Sequence, residues 1–337
     1  MKRFRFFTAG RLLALGLVLL GVAIAVAIYP SNEYIFLPDR AHPVAPLVTV
    51  EGGHTPTRGG VFYVDVIVRK ATLLERLFGG LHEGADLYPA NAVNPPGVNE
   101  ALRREIDVED MHRSQQIAAA VALRALGRKV RMTPVGALVD AVGPGEPAVG
   151  KLAPDDVITA VDGARVDGPA QLYTAMSGHK PGDVVRFTIR RAKQSLVERI
   201  KTVADPVTGK RAIVGIVVEP AVDIHLPTRV RIDAGNVGGP SAGLAFALEV
   251  MAKLGKNVLH GHRVAATGEI FANGAVGAIG GIKQKTIGAR EAGVDAFLVP
   301  AGDNARQAEK YAHGLRIIPV QNFPQALRAL ATLPPNA

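Results

Sequence analysis

Between Gly238 and Gly255 the chain has few ways to fold. Gly238-Gly239-Pro240-Ser241-Ala242-Gly243 is a glycine-rich turn, and the run AGLAFALEVMAKLG that starts at Ala242 is rich in strong helix formers. Pro240 suits the helix start and Gly255 its stop. A loop-to-helix junction with a serine at its tip is therefore predicted. Ser241 would stand where unpaired backbone N–H groups and the positive end of the helix favour an anion. Two readings are open at this point. Serine is a favoured helix N-cap; it is also a nucleophile when a base takes its proton and backbone N–H groups meet the developing oxyanion. The flanking glycines allow the tight backbone and close substrate approach that the second reading needs.

A lysine supplies the base. Gly280-Gly281-Ile282-Lys283-Gln284-Lys285 opens a second predicted helix, IKQKTIGAREAG, in which Lys285 follows Ile282 by three residues and precedes Ala289 by four. Lys285 shares their face, whereas Lys283 falls with Ile287 and Arg290. Burial on that face penalises the ammonium and makes a neutral amine available near neutral pH. The alternative is a lysine that snorkels along its own helix. Ser241 and Lys285 together point to a Ser/Lys hydrolase.

GPSAG, then TGEI from Thr267 to Ile270, then GAVGAIGGIKQK follow, in order and spacing, the proteolytic domain of the Lon-type serine peptidases, which the last third of the chain closely resembles. The resemblance implies Ser241 as nucleophile, Lys285 as general base and Thr267 as the threonine that supports the lysine. Oxyanion donors are expected from the backbone at Gly239, Pro240 and Ala242. The sequence departs from ATP-dependent members at Gly238, where they often carry an acidic residue. A third, acidic catalytic partner is left open.

Residues 12–29, LLALGLVLLGVAIAVAIY, carry no charge and match the length of a bilayer-crossing helix. Lys2, Arg3, Arg5 and Arg11 precede them. The positive-inside rule then puts residues 1–11 in the cytoplasm and everything after Tyr29 outside. Ala23, Ala25 and Ala27 leave a cleaved signal peptide as the rival reading. The run exceeds a usual signal core, so a retained single-pass anchor in the cell membrane is expected, with an extracytoplasmic catalytic domain. With 337 residues and 48% hydrophobic content, the chain has material for about two domains beyond it. Cysteine is absent, which excludes disulfides, thiol catalysis and thiolate zinc sites. The net charge of +9 comes partly from the N-terminal cluster. The other basic residues are scattered among acids without a basic, aromatic-rich strip, so no nucleic-acid partner is expected.

Prolines at 30, 38, 43 and 46 suggest an extended connector after the anchor. LVTVEG and GGVFYVDVIV read as strands, and 79–99 as a long loop. Asp107 and Asp110 resemble an N-terminal cap for a helix that Gly127 ends. Residues 129–204 resemble a bacterial PDZ domain, carried by EPAVGKLAPDDVITAVDGARVDGPAQLYTAMSGHKPGDVVRFTIRR. That resemblance implies strand-addition binding of a peptide whose C-terminal carboxylate is held by a loop at Val135, Gly136, Ala137 and Leu138. An occluded groove acting as a spacer or lid is the alternative.

The whole order resembles bacterial membrane-anchored PDZ-containing Lon-like peptidases. The expected fold is α/β, a Lon-type domain split into 46–128 and 206–337 by a PDZ insert, after an anchor at 12–29. The implied activity is ATP-independent endopeptidase action on polypeptides, without cofactor or metal, in a possible homo-oligomeric ring. Gly145 to Lys151 imitates a phosphate loop, but Leu152 stands where a magnesium-binding Ser or Thr belongs. Two other functions stay open. One is a non-catalytic PDZ scaffold. The other is a G-x-S-x-G esterase drawing on Asp295 or Asp303 and His313, although little chain follows Ser241 to build its sheet. His260 with His262 makes a weak ligand set, and His82-Glu83 lacks the second histidine of a zincin motif.

Overall fold

The computed structural model describes residues 9–56, 58–94, 100–191, 194–206, 209–235 and 237–334. Lys2, Arg3, Arg5 and the Arg11 side chain, which carry the orientation argument, lie outside the described residues.

A five-stranded sheet forms the centre, in the order His42–Pro43, Gly60–Tyr63, Arg263–Ala266, Ala296–Pro300, Arg316–Val320. All neighbours are parallel except the first pair. Parallel strands need cover on both faces, and their side chains alternate between two cores. Val264, Ala266, Ala296 and Leu298 enter one core with the serine helix, Gly243–Lys253, while Ala265, Phe297 and Val299 enter the other with Ile282 and Ala289. The serine helix is buried along its whole length. A long helix, Glu100–Ala125, packs on it through Met111, Ala118, Val121 and Ala122. Segments before and after the β-rich insert thus share one core, and Val230–Ile232 pairs with Val48–Val50 to close it.

The β-rich module is a separate sheet with its own core, ordered Gln194–Lys201, Val184–Arg191, Val157–Val161, Arg131–Val142, Ile216–His225, and crossed by the helix Pro169–Met176. It extends beyond the expected boundary at 204. Ile216–His225 pairs along the whole of Arg131–Val142, and Val214, Ile216 and Val218 pack into the module core. The central domain resumes only after His225.

Three other expectations are corrected. Pro30–Pro38 is the middle strand of a three-stranded antiparallel sheet with Val66–Thr72 and Asp86–Pro89, not a connector. Its prolines sit at the strand ends, where a missing N–H is tolerated. The segment read as a loop holds Asp86–Pro89 and a short helix, Ala90–Val93, and 95–99 lie outside the described residues. The long helix starts at Glu100, so Asp107 and Asp110 lie within it instead of capping it.

The apolar N-terminal run forms a helix, Ala9–Ile28, whose leucines are exposed together with Val18 and Val22. Its end is fastened to the body where the Leu73 N–H donates to the Tyr29 carbonyl at 2.9 Å. No helix among the described residues is long and apolar enough to cross a membrane, so the transmembrane anchor is not established.

One close approach ties the N-terminal part to the lysine helix, Ile282–Glu291. A Cβ on Gly288 would lie 1.8 Å from the Asp39 carbonyl oxygen, and the Ala41 N–H donates to the Gly288 carbonyl at 3.4 Å. Gly288→Ala should push the Asp39–Ala41 segment off the helix and cost about 1–3 kcal/mol, the usual range for overpacking. A thermal melt equal to wild type would contradict this contact.

Candidate active site

Ser241 lies in a single turn of 3-10 helix, Pro240–Ala242, that leads into the serine helix. Gly239 enters the turn at φ 81°, a conformation that favours glycine. Three hydrogen bonds hold the loop. The Gly239 N–H donates to the Asp107 carbonyl at 2.8 Å, the Ser114 hydroxyl donates to the Pro240 carbonyl at 3.0 Å, and the Gly268 N–H donates to the Ser241 carbonyl at 2.8 Å.

The lysine helix delivers Lys285 to the same point. Gly281 precedes the helix in the left-handed region, and Lys285 is 5% exposed. Its Nζ donates to Ser241 Oγ at 2.7 Å and lies 3.5 Å from Thr267 Oγ1. Thr267 is fully buried and its hydroxyl donates to the Ser241 carbonyl at 3.2 Å. It therefore braces the serine backbone while bordering the amine. Lys283 faces elsewhere and pairs with Asp86 at 2.8 Å. Burial lowers the Lys285 pKa from 10.5 to about 8, with Asp65 opposing the shift. A buried amine in contact with a hydroxyl is the arrangement in which a lysine serves as general base.

The predicted oxyanion donors need revision. Pro240 has no N–H, and the N–H of Gly239 is committed to Asp107. Of the three, the N–H of Ala242 is left, with that of Ser241 beside it, both in the first helical turn that leads into the serine helix. A side chain at Gly238 would also crowd the turn, since a Cβ there would lie 2.8 Å from that of Asp107.

A cavity of about 440 Å³ opens over the pair and is walled by Ser241, Lys285, Gly238, Gly281, Phe36 and Asp65. Asp65, just past the strand Gly60–Tyr63, went unnoticed in the sequence. Its signal was there: it is the one charge within the apolar run VFYVDVIV. Ser114 offered no comparable signal in its polar surroundings.

The other candidates lie apart from this cavity. Gly136, Ala137 and Leu138 are buried between two paired strands, Ile216–His225 on one side and Val157–Val161 on the other. Their backbone edge is taken, so Val135 to Leu138 cannot receive an added strand. The edge strand on that side is Ile216–His225, and beside it a cavity of about 640 Å³ lies between Leu172, Tyr173 and Met176 of the module helix and the segment Val214-Gly215-Ile216. His260 is exposed, whereas His262 is buried with its Nε2 2.6 Å from the Pro334 carbonyl. His82 contacts Glu75 at 2.8 Å, and His313 is exposed in a turn at φ 44°. Gly145 to Lys151 is a turn within the module.

Any chemistry that uses neutral Lys285 should gain rate as pH rises through about 8 and fall below it as the ammonium forms. A pH–rate profile whose acid limb lies well below neutrality would contradict this use of the amine.

Residues 160–332 match the family described as Lon protease (S16) C-terminal proteolytic domain. The Lon protease of Buchnera aphidicola subsp. Schizaphis graminum is 36% identical over 111 residues, which is 32% of this chain and 14% of that protein. Lon protease 2 of Bacillus subtilis is 34% identical over 116 residues, 34% of this chain and 20% of that protein. The Lon protease of Azorhizobium caulinodans is 31% identical over 186 residues, 53% of this chain and 21% of that protein. The matched part of the chain thus spans 14–21% of the length of these three relatives. Among solved structures, the PDZ domain of an SdrC-like protein from Listeria monocytogenes is 25% identical, covering 25% of this chain and 87% of that one with a TM-score of 0.24.

Proposed function

Because the chain belongs to the family of Lon protease (S16) C-terminal proteolytic domains, we propose that it is an ATP-independent serine endopeptidase that works through Ser241 and Lys285. The observation that carries this reading is the 2.7 Å contact between Lys285 Nζ and Ser241 Oγ in a site where the lysine is buried. Neutral Lys285 takes the hydroxyl proton as Oγ bonds to the peptide carbonyl carbon. The carbonyl π pair moves onto oxygen, where the N–H groups of Ser241 and Ala242 meet it. The ammonium then protonates the departing amine, and water activated by the same lysine releases the acyl-enzyme. Thr267 keeps the serine backbone and the amine in register.

Full-length protein in detergent, assayed on labelled casein, tests this. Ser241→Ala and Lys285→Ala should each reduce cleavage by on the order of a thousandfold or more without changing the fold. Cleavage that survives both changes rejects the site. A wild-type protein inert towards casein at alkaline pH favours the scaffold reading, and ester turnover that needs His313 but not Lys285 favours the esterase.

In this proposal the β-rich module is a PDZ domain that recruits or gates polypeptide substrates. Its groove lies between the helix Pro169–Met176 and the edge strand Ile216–His225, with Val214-Gly215-Ile216 as the carboxylate loop. The open edge, the neighbouring cavity and the left-handed Gly215 at φ 74° support that location. Met176→Glu should weaken binding of a fluorescent peptide with a free C-terminus by about tenfold or more, with casein turnover by the dyad retained. Equal binding of free and amidated peptides would argue against a carboxylate loop.

The exposed apolar side chains of Ala9–Ile28 support a role for this helix in holding the protein to the cell membrane, with the catalytic domain outside the cytoplasm. Release of the full chain from membranes by alkaline carbonate would argue against an integral anchor. A homo-oligomeric ring is proposed from the family resemblance alone, and a mass measurement in detergent tests it.

A further inference from the structure

The sequence lacks an acid at Gly238, yet the cavity over the dyad contains one from a distant part of the chain. Asp65 stands where the central strand Gly60–Tyr63 gives way to Val66–Thr72, and shares the cavity wall with Ser241 and Lys285. Its Oδ1 is buried without a hydrogen-bond partner among the described residues, and His42 Nε2 is 3.9 Å away. A carboxylate oxygen deprived of water and left unbonded costs free energy, which is tolerated where the charge has a use.

We propose that Asp65 is a positioning residue for Lys285, whose carboxylate stabilises the ammonium formed when Lys285 takes the Ser241 proton. This rests on the dyad mechanism above. The proton passes from Ser241 Oγ to Nζ, the Oγ–C bond forms, and a positive charge appears in a site with little water to solvate it. A negative charge on the same cavity wall stabilises the ammonium more than the neutral amine, and so lowers the barrier to proton transfer.

The surroundings agree. Asp65 holds the Lys285 pKa above the level that burial alone would give. Asp65 is itself pushed up, first by burial and then by Asp39, with His42 and Lys285 pulling the other way. His42 and Tyr63 complete the set of titratable groups around it: His42 Nε2 contacts Asp39 at 3.2 Å, and its ring stacks on Tyr63. Asp39 is held in place by the close approach of its carbonyl to Gly288, on the lysine helix itself. The carboxylate neighbour of Asp65 and the helix that carries Lys285 thus share one packed contact.

The test is the pH dependence of kcat and KM for labelled casein with the full-length protein. In Asp65→Asn the acid limb should move below about 8 by on the order of one pH unit, because the ammonium loses a favourable neighbour. The alkaline plateau of kcat should fall about three- to tenfold, with KM little changed. Asp65→Glu should restore both in part. A limb unmoved in a folded Asp65→Asn protein overturns the proposal, as does a change confined to KM. If Asp65→Asn does not fold, Asp65→Ser is read by the same limb and the same two outcomes. Loss of activity in Lys285→Ala alongside an unmoved limb would sink only this inference, whereas activity retained in Lys285→Ala would remove the dyad beneath it.

Discussion

The chemistry available to this protein depends on the removal of water from one amine. An exposed lysine is an ammonium at neutral pH and has no lone pair to offer. Burial makes the charged form costly, brings the Lys285 pKa to about 8, and allows a hydroxyl 2.7 Å away to be its proton donor. The fold can be read as the means of keeping that amine dry and that distance short.

The two partners arrive on different helices, and different forces hold each. The serine turn is fixed by backbone and hydroxyl hydrogen bonds from the long helix and from Gly268, so its position depends on the packing of Glu100–Ala125 against the serine helix. The lysine helix is fixed by apolar packing through Ile282 and Ala289 against Phe297 and Val299, and by the Asp39–Ala41 segment lying against Gly288. Polar bonds set the orientation of the Ser241 turn, while burial sets the basicity of Lys285. The β-rich module interrupts the sequence without interrupting this core, because its own apolar residues form a separate cluster.

The parts of the site that were legible in the sequence are those with local causes. The serine turn and its helix follow from Pro240, the glycines and a run of helix formers. Lys285 was legible as a buried lysine from its helical spacing to Ile282 and Ala289, while Lys283 is kept at the surface by its pairing with Asp86 and not by its face, since Ile287 on that face is buried. The errors fall where long-range pairing decides. Pro30–Pro38 became a strand because Val66–Thr72 and Asp86–Pro89 flank it. The segment around Gly136 lost its open edge because Ile216–His225 covers it. Among the expected oxyanion donors, Pro240 could have been rejected from its chemistry alone, whereas the loss of Gly239 depended on a carbonyl more than a hundred residues earlier.

The sequence by itself determined a serine at a loop-to-helix junction, a lysine on the inward face of a second helix, and a β-rich insert between two halves of one domain. Helix periodicity and turn chemistry are written in neighbours along the chain, so they can be read there. Only the tertiary structure decided which sheet edge stays open, which N–H groups remain for an oxyanion, and that Asp65 lines the same cavity as Lys285. Each of these depends on groups far apart in sequence, brought together by strand pairing and core packing.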